Sequence, residues 1–349
     1  VLIASDDRPS ANLMVEWCTK ILAHDNHKIY FQKPVDEVSK SQAQHHPYYS
    51  RMGTPHGSAT VALSDKIDIS IVITASHNER VWNGVKFYFE LPMPISGKVM
   101  QAVSERALTF QKIPFIEDFQ VEYLDANKIN NDYIIQLIQN IIDVSPLNEK
   151  PVILWPYLGH APEIQNVFKR VGAKVHLIPN QMEPPNPTIH INFEVLKTHF
   201  AKSGAKLAIL LDSDRDRVVL VIKNESTGQL EELMPNTIYA AMHNLLVKEF
   251  KQQLINVRTI PTDPRCDDVA NITFLTGVGY KHLGMVLYSA LGVPIEEQKF
   301  QTGILYEQLN DRNRKISSPE FIKKRILTEE FHKDQLDWKS TRLNSSHYS

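Results

Sequence analysis

The stretch IDISIVITASHNERVWNGVK, residues 67–86, is the part of the sequence that decides the fold. Its first part, Ile67–Thr74, is an apolar run of strand length, which predicts a strand buried on both faces. A polar loop with Ser76, an Asn-Gly pair and Lys86 follows. Because α/β proteins bind ligands beyond the carboxyl ends of parallel strands, the stretch predicts a functional loop at such an edge.

Short β-rich runs alternate with amphipathic helical stretches around this segment. This alternation predicts largely parallel sheets covered by helices. A polar stretch, 117–131, is predicted to separate a first unit from a second, and a strand near 255 opens a third. The predicted strands are 1–5, 28–32, 67–74, 151–155, 174–178, 207–211, 218–222 and 255–260, and the predicted helices are 11–23, 99–110, 132–143, 162–171, 195–201, 236–250 and 280–291.

The composition is that of a globular protein. The 349 residues are 42% apolar, which is enough for two or three domains with real cores. A net charge of -2 gives no bias toward nucleic acid or an anionic membrane. Two cysteines, Cys18 and Cys266, exclude a disulfide framework and favour a reducing cytoplasm. Neither a signal peptide nor a membrane-length apolar run is recognised.

Ser76 is a candidate nucleophile, because a serine in a loop at a sheet edge becomes reactive when a base or a metal activates it. His77 is a second candidate, although neighbouring side chains of an extended loop point apart, which argues against a direct Ser-His pair. Lys86 follows ten residues later and can serve as an acid or base if the loop folds back. The alternative is an ordinary capping turn, since Ser, Asn and Gly are common in such loops.

The run DSDRDR, residues 212–217, follows the predicted strand LAILL. Asp212, Asp214 and Asp216 repel one another unless a cation compensates their charges. Oxygen-only ligands at alternate positions favour Mg²⁺ or Ca²⁺ over zinc, and the residues that follow do not fit a calcium-binding EF-hand loop. Arg217 is placed to bind a phosphate in a bidentate manner. The alternative is a solvated charged turn.

Two further segments are weaker signals on their own. The first is Asp6-Asp7-Arg8-Pro9-Ser10, which can place the Arg8 guanidinium near a phosphate, although Ser10 can equally be an ordinary helix cap. The second is the sequence TGVGYK, 276–281, a glycine-bearing turn before a helix that either contacts a phosphosugar or is only a turn.

These segments together resemble the α-D-phosphohexomutase family, which includes phosphomannomutase/phosphoglucomutase. TASHN with NGVK resembles the family's phosphoserine loop, and DSDRDR resembles its magnesium loop, usually DGDxDR. SDDRPS, Gly53-Thr54-Pro55, Pro185-Asn186-Pro187 and TGVGYK resemble further family segments, in the family's order. Glu79, Ser213 and Arg215 depart from the usual pattern, but none of them removes a metal ligand.

The resemblance implies a role for each candidate residue. Ser76 carries the phosphoryl group, and one of its oxygens joins the three aspartates around Mg²⁺. Arg8 and Arg217 contact phosphoryl oxygens, His77 belongs to the same catalytic group, and Lys86 is the general acid/base. The residues implied to bind the sugar are Gly277, Lys281, Glu296 and Glu297, the last two from a poor match, IEEQ, to the family's sugar-selecting motif.

The resemblance also implies the fold, which is a row of consecutive mixed-sheet α/β/α domains. We expect a phosphoserine-loop domain at 1–125, a metal-loop domain at 126–252 and a partial third, sugar-binding domain at 253–338. The sequence 339–349, KSTRLNSSHYS, is predicted to be a non-native tail. Neither the family's opening segment nor its fourth domain is recognised. We therefore read the chain as a fragment and expect it to turn over substrate slowly or not at all.

The function implied is that of a cytoplasmic intramolecular phosphotransferase. Such an isomerase interconverts hexose 1-phosphate and hexose 6-phosphate through a phosphoserine enzyme and a hexose 1,6-bisphosphate, with Mg²⁺ as cofactor. Mannose or glucose phosphate is the predicted substrate, and a monomer or dimer without nucleic-acid or membrane partners is expected.

Three alternatives stay open at this point. Phosphoglucosamine mutase is the first, although its loop usually reads SASHN, whereas Thr74 precedes Ala75 in this chain. The second is a non-catalytic fragment that only binds a phosphosugar or a partner. A magnesium phosphatase is the third, but that chemistry normally uses an aspartate nucleophile, for which no separate motif is evident.

Overall fold

The computed structural model describes residues 1–251, 254–267, 269–270, 272–290, 305–308 and 314–317. The chain forms two compact units. The first combines 1–92 with 111–234, and the second combines 93–110 with the described residues from 235 onward. The domain boundaries placed after residues 125 and 252 stay a prediction. Within the described ranges, no helix is both long and apolar enough to cross a bilayer.

Strands and helices alternate along much of the described chain. The strands are β1 (Leu2–Ser5), β2 (Tyr30–Gln32), β3 (Ile69–Ile73), β4 (Val85–Phe89), β5 (Glu122–Leu124), β6 (Pro151–Pro156), β7 (Lys174–Leu177), β8 (Leu207–Leu211), β9 (Val218–Lys223), β10 (Leu230–Leu233), β11 (Ile255–Thr259), β12 (Ile272–Thr276), β13 (Leu305–Gln308) and β14 (Arg314–Ser317). The helices are α1 (Ala11–His24), α2 (Glu37–His45), α3 (Thr54–Leu63), α4 (Gly97–Ala107), α5 (Ala126–Ile141), α6 (Pro162–Arg170), α7 (Phe193–Ser203), α8 (Pro235–Lys248) and α9 (Tyr280–Ala290).

The strands form three mixed sheets. The first has the order β4-β3-β1-β2-β5, in which only β4 pairs in the antiparallel sense. The second has the order β10-β9-β8-β6-β7, in which β6, β7 and β8 are parallel and β9 and β10 are antiparallel. Both lie in the first unit. The third, in the second unit, has the order β11-β12-β13-β14.

Helices cover both faces of the first sheet. Leu2 and Val72 pack on one face in a cluster that contains Val61 of α3. Ile71 packs on the other face, in a cluster that contains Val15 of α1. This two-sided burial explains why β3 reads as an almost continuous apolar run.

The second sheet is also covered on both faces. Trp155 and Phe200 of α7 belong to the cluster on one face. Leu154 of β6 belongs to the cluster on the other face, against which Phe168 of α6 packs. Each sheet of the first unit is therefore the middle layer of an α/β/α sandwich, as the family resemblance implied.

The mixed α/β architecture is confirmed, and the differences from prediction lie in short elements. The polar stretch 117–131 contains β5 and the start of α5. This helix begins at Ala126 instead of residue 132, since the Asp125 carboxylate accepts a hydrogen bond from the Lys128 amide and caps it. The elements that were not predicted are β4, β5, β10, β12, β13, β14, α2 and α3.

Candidate active site and metal centre

Ser76 lies in the loop that follows β3. Its backbone adopts a left-handed conformation with φ of 53°, and its amide donates to Thr74 Oγ1 at 2.8 Å. The turn brings Ser76 Oγ within 3.3 Å of His77 Nδ1. The expectation that the two side chains point apart was therefore wrong, because it assumed an extended loop. Burial, followed by the charge of Arg217, lowers the pKa of His77 and favours its neutral form.

Arg8 binds the backbone of this loop. Its guanidinium is fully buried, forms an ion pair with Asp6 and donates to the backbone carbonyls of residues 76, 78, 79 and 82. The Asp6 carboxylate also accepts from Thr74 Oγ1 at 2.7 Å. Arg8 thus fixes the shape of the serine loop in this structure, and its contact with phosphoryl oxygens stays a prediction.

We call residues 212–217, which follow β8, the metal loop. Its three aspartates lie close together. One oxygen from each of Asp212, Asp214 and Asp216 can be chosen so that all three lie within 4.8 Å of one another. Asp212 Oδ2 and Asp214 Oδ1 are buried and receive no hydrogen bond from any described residue. Such buried acceptors are costly unless a ligand satisfies them. A hard divalent cation fits this set, because every donor is a carboxylate oxygen.

The three aspartates, which we call the trio, have shifted pKa values, and crowding of their like charges contributes to the shifts. Burial, followed by repulsion from Asp214 and Asp216, raises the pKa of Asp212 to about 8. Burial also raises the pKa of Asp216. At Asp214 burial acts in the same direction, but Lys86 and a hydrogen bond from Thr54 outweigh it and lower the pKa. A bound cation would relieve the repulsion that raises the first two values.

Lys86 reaches this trio from the antiparallel strand β4. Its Nζ donates to Asp214 Oδ2 at 2.9 Å and lies 3.8 Å from Asp216 Oδ2. Because β4 pairs with β3, the sheet itself returns the chain from Ser76 toward the metal loop. The sequence predicted that a loop would fold back and bring Lys86 near Ser76. In the structure the strand β4, which was not predicted, returns the chain instead.

The serine loop and the metal loop touch directly. Ser213 Oγ donates to the carbonyl of Ser76, and Arg8 Nη2 lies 3.2 Å from the same hydroxyl. Thr54 binds the metal loop twice, through its amide to the Asp214 carbonyl at 2.8 Å and through its hydroxyl to Asp214 Oδ2 at 2.7 Å. All of these residues belong to the first unit, so the two loops form one site.

Arg217 lies at the open side of the trio. Its Nε is 4.0 Å from Asp212 Oδ2 and 3.9 Å from Asp216 Oδ1. With 41% of its side chain exposed, Arg217 retains donors that an incoming anion can reach. This placement is compatible with the phosphoryl contact predicted for Arg217.

The predicted sugar-binding residues are separate from this group in the chain. Gly277 lies in the turn before α9 and Lys281 in the first turn of that helix, both in the second unit. Glu296 and Glu297 lie outside the described residues. The sugar-binding role of these four residues stays a prediction.

Sequence reasoning missed the supporting residues Asp6, Thr54, Thr74 and Ser213. Thr54 and Asp6 were visible only as parts of short segments, Gly53-Thr54-Pro55 and the Asp-Asp-Arg run. Their partners lie far along the chain, and Thr54 contacts a residue 160 positions away. No local pattern encodes such a pairing.

Comparison with known proteins agrees with this fold. Residues 1–113 match the family model for phosphoglucomutase/phosphomannomutase, alpha/beta/alpha domain I. A phosphoglucosamine mutase from Caldicellulosiruptor saccharolyticus is 23% identical over 214 residues, which cover 59% of this chain and 45% of that protein. A phosphoglucosamine mutase from Acinetobacter baumannii is 30% identical over 164 residues, covering 44% of this chain and 35% of that protein. The chain thus spans less than half the length of these curated relatives.

A solved structure shares the fold. A phosphoglucomutase/phosphomannomutase family protein from Burkholderia thailandensis aligns with a TM-score of 0.59 and 17% identity, covering 93% of this chain and 67% of that one. Fold and site define an α/β/α protein in which a serine loop meets a carboxylate loop suited to a divalent cation. The matching family model and the relatives agree with this fold, and they make residues 1–113 similar to the first domain of the phosphoglucomutase/phosphomannomutase family.

Proposed function

We propose that this chain carries the phosphoserine and the metal centre of a phosphohexomutase, which interconverts hexose 1-phosphate and hexose 6-phosphate through a 1,6-bisphosphate. The observation that supports this most is the contact between the two loops. The Ser76 carbonyl accepts from Ser213 inside the acidic run, while Lys86 reaches Asp214 from the other side. The proposed nucleophile, the proposed acid/base and the proposed cation ligands thus all belong to one unit.

Mg²⁺ is the proposed cofactor, with Asp212, Asp214 and Asp216 as its protein ligands. The unsatisfied oxygens of Asp212 and Asp214 support this assignment, as does the all-oxygen donor set. When bound, the ion would neutralise charge on the phosphoryl oxygens. The protein's own contribution is to hold the serine, the acid/base and Arg217 around the same point.

The proposed transfer runs in two directions at Ser76. In one direction Ser76 Oγ bonds to a phosphorus of the bisphosphate, the bond from that phosphorus to the sugar oxygen breaks, and Lys86 gives this oxygen a proton. His77 Nδ1, 3.3 Å from Oγ, is placed to take the hydroxyl proton of Ser76. In the other direction Lys86 takes the proton of an attacking sugar hydroxyl, whose oxygen bonds to the phosphorus while the Oγ–phosphorus bond breaks, and His77 returns a proton to Ser76 Oγ.

The identity of the sugar has two candidates. The loop sequence, with Thr74 before Ala75, favours a mannose or glucose phosphate. The curated relatives described above are phosphoglucosamine mutases, which favours glucosamine phosphate. Both belong to the proposed class, and comparing bisphosphate donors distinguishes them.

The proposal predicts that Ser76 becomes phosphorylated. The 349-residue chain is incubated with Mg²⁺ and the 1,6-bisphosphate of glucose, mannose or glucosamine in turn, and its intact mass is followed over time. We expect the mass of one phosphoryl group to be added, mapped to Ser76 by peptide analysis, and fastest with the donor that corresponds to the natural sugar.

Two variants control this experiment. Ser76→Ala is expected to gain no phosphoryl group. Ser41→Ala, a matched change on the exposed side of α2, is expected to be labelled at the wild-type rate. A phosphoryl group on another residue, with Ser76 unmodified, contradicts the assignment.

A further inference from the structure

Arg215 occupies the position of the metal loop for which the family resemblance implies no role. It stands between Asp214 and Asp216, with a backbone φ of 61° and a side chain that is only 1% exposed. A left-handed backbone is unfavourable for a residue with a Cβ. The surroundings of Arg215 must therefore stabilise this conformation.

The guanidinium of Arg215 ends on two carboxylates, that of Glu163, which is buried, and that of Asp7, which is 11% exposed. Its Nη2 donates to Asp7 Oδ2 at 2.6 Å, and its Nε lies 3.2 Å from Glu163 Oε1 of α6. Arg51 lies 3.6 Å from the other oxygen of Asp7, so the charges are nearly balanced. We call Asp7, Glu163 and Arg215 the anchor triad. Although burial would raise it, the pKa of Asp7 is lowered by these cations, so Asp7 stays charged.

Two glycines make room for the triad. A Cβ built on Gly53 would lie 2.9 Å from Cδ of Arg215, and one on Gly159 would overlap the Asp7 carboxylate. Gly159 also has a φ of 73°, a conformation that favours glycine. Side chain and backbone are thus closely fitted around Arg215, which leaves the metal loop little freedom to shift.

The triad also connects the two halves of the site. Asp7 is the residue between Asp6 and Arg8, and Arg8 binds the carbonyls of the serine loop. The segment 6–8 therefore holds the serine loop through Arg8 and the metal loop through Asp7. Because Arg215 lies between two aspartates of the trio, any shift of its backbone displaces both.

We propose that Arg215 is a positioning residue, which through Asp7 and Glu163 sets where Asp214 and Asp216 stand relative to Ser76. This inference rests on the proposed function. Buried ion networks can often be replaced by neutral groups with little loss of stability. The affinity for a metal ion, which depends on the positions of Asp214 and Asp216, is therefore a more informative readout than the stability of the fold. Residues that orient metal ligands typically change metal affinity about 10–100-fold when replaced.

The test measures affinity for Mn²⁺, an oxygen-binding probe, by electron paramagnetic resonance, which requires no turnover. The triple variant Asp7→Asn/Glu163→Gln/Arg215→Met removes all three charges while nearly keeping their volumes. Because Arg51 loses its partner Asp7 in this variant, we expect the melting temperature to fall, and in the protein that remains folded we expect the Kd for Mn²⁺ to rise about 10–100-fold. The matched control, Asp132→Asn/Arg170→Met, removes a partly exposed ion pair and is expected to leave the Kd unchanged.

A conservative variant keeps the test decisive if the triple variant does not fold. Arg215→Lys retains the charge but not the fork of donors, so its Kd is expected to lie between those of the wild type and the triple variant. A folded triple variant, or a folded Arg215→Lys, with the wild-type Kd overturns this inference and leaves the proposed function intact. If the wild-type chain binds no Mn²⁺, the proposed metal centre fails first, and the inference fails with it.

Discussion

An Asp214→Asn variant is expected to bind Mn²⁺ at least about 100-fold more weakly than the wild-type chain, the upper end of what supporting residues of metal sites contribute. Asp214 is the aspartate of the trio whose charge the protein most strongly favours, because Lys86 and Thr54 lower its pKa against the effect of burial. Asparagine keeps the shape but removes the charge and one acceptor oxygen. The site then loses the ligand that is ionised most readily.

The contacts of Asp214 indicate which of its two oxygens is available to a cation. Asp214 Oδ2 already accepts from Thr54 and Lys86, so the unpartnered Oδ1 is the oxygen available to a cation. Electron paramagnetic resonance titration gives the Kd, and circular dichroism checks folding. Asp132→Asn, at a partly exposed aspartate paired with a lysine and an arginine, is the matched control and is expected to bind Mn²⁺ normally. A folded Asp214→Asn variant with the wild-type Kd would exclude Asp214 as a ligand.

Replacing Arg8 by methionine is expected to lower the free energy of unfolding by about 3–5 kcal/mol, because removing one partner of a buried ion pair leaves the other charge uncompensated. Asp6 is that partner, and its carboxyl is fully buried. The carbonyls of residues 76, 78, 79 and 82 lose their shared donor as well. Urea unfolding followed by circular dichroism measures the change, and Arg170→Met serves as the partly exposed control.

The pH dependence of the Arg8→Met variant provides a second check. Burial already raises the pKa of Asp6 even with Arg8 beside it, and loss of this cation raises the pKa further. When the folded pKa of an acid exceeds the unfolded one, the folded state binds the proton more readily and stability falls as pH rises. The deficit of the variant relative to the wild type is therefore expected to shrink as the pH is lowered. A deficit below about 1 kcal/mol at neutral pH, independent of pH, would show that Arg8 is not essential to the loop.

Much of the fold and the positions of the two reactive loops could be predicted from sequence. The apolar runs that became β3 and β8 are each followed at once by polar residues, and this pattern is local. The three aspartates at alternate positions likewise indicated a cation site before any geometry was known. The strand and loop predictions succeed because strand burial and loop composition are encoded within a few neighbouring residues, whereas the cation site stays a prediction.

The supporting interactions could not be predicted, for two physical reasons. The first is distance along the chain, since Arg8 binds carbonyls about 70 residues away and Arg215 binds Asp7 across 208 positions. The second is backbone conformation, because the left-handed φ values of Ser76 and Arg215 decide where their side chains point. Sequence alone predicted Ser76 and His77 to point apart, and it gave no role to Arg215.

The most direct test of the proposed mechanism is whether a cation at the aspartate trio contacts the phosphoryl group on Ser76. The chain is phosphorylated with a hexose 1,6-bisphosphate, loaded with Mn²⁺ and examined by electron–nuclear double resonance at the phosphorus frequency. We expect a strong hyperfine coupling between Mn²⁺ and the phosphorus of phosphorylated Ser76, which is lost when Asp214 is replaced by asparagine. Tight Mn²⁺ binding to the phosphorylated chain without any phosphorus coupling would contradict the mechanism.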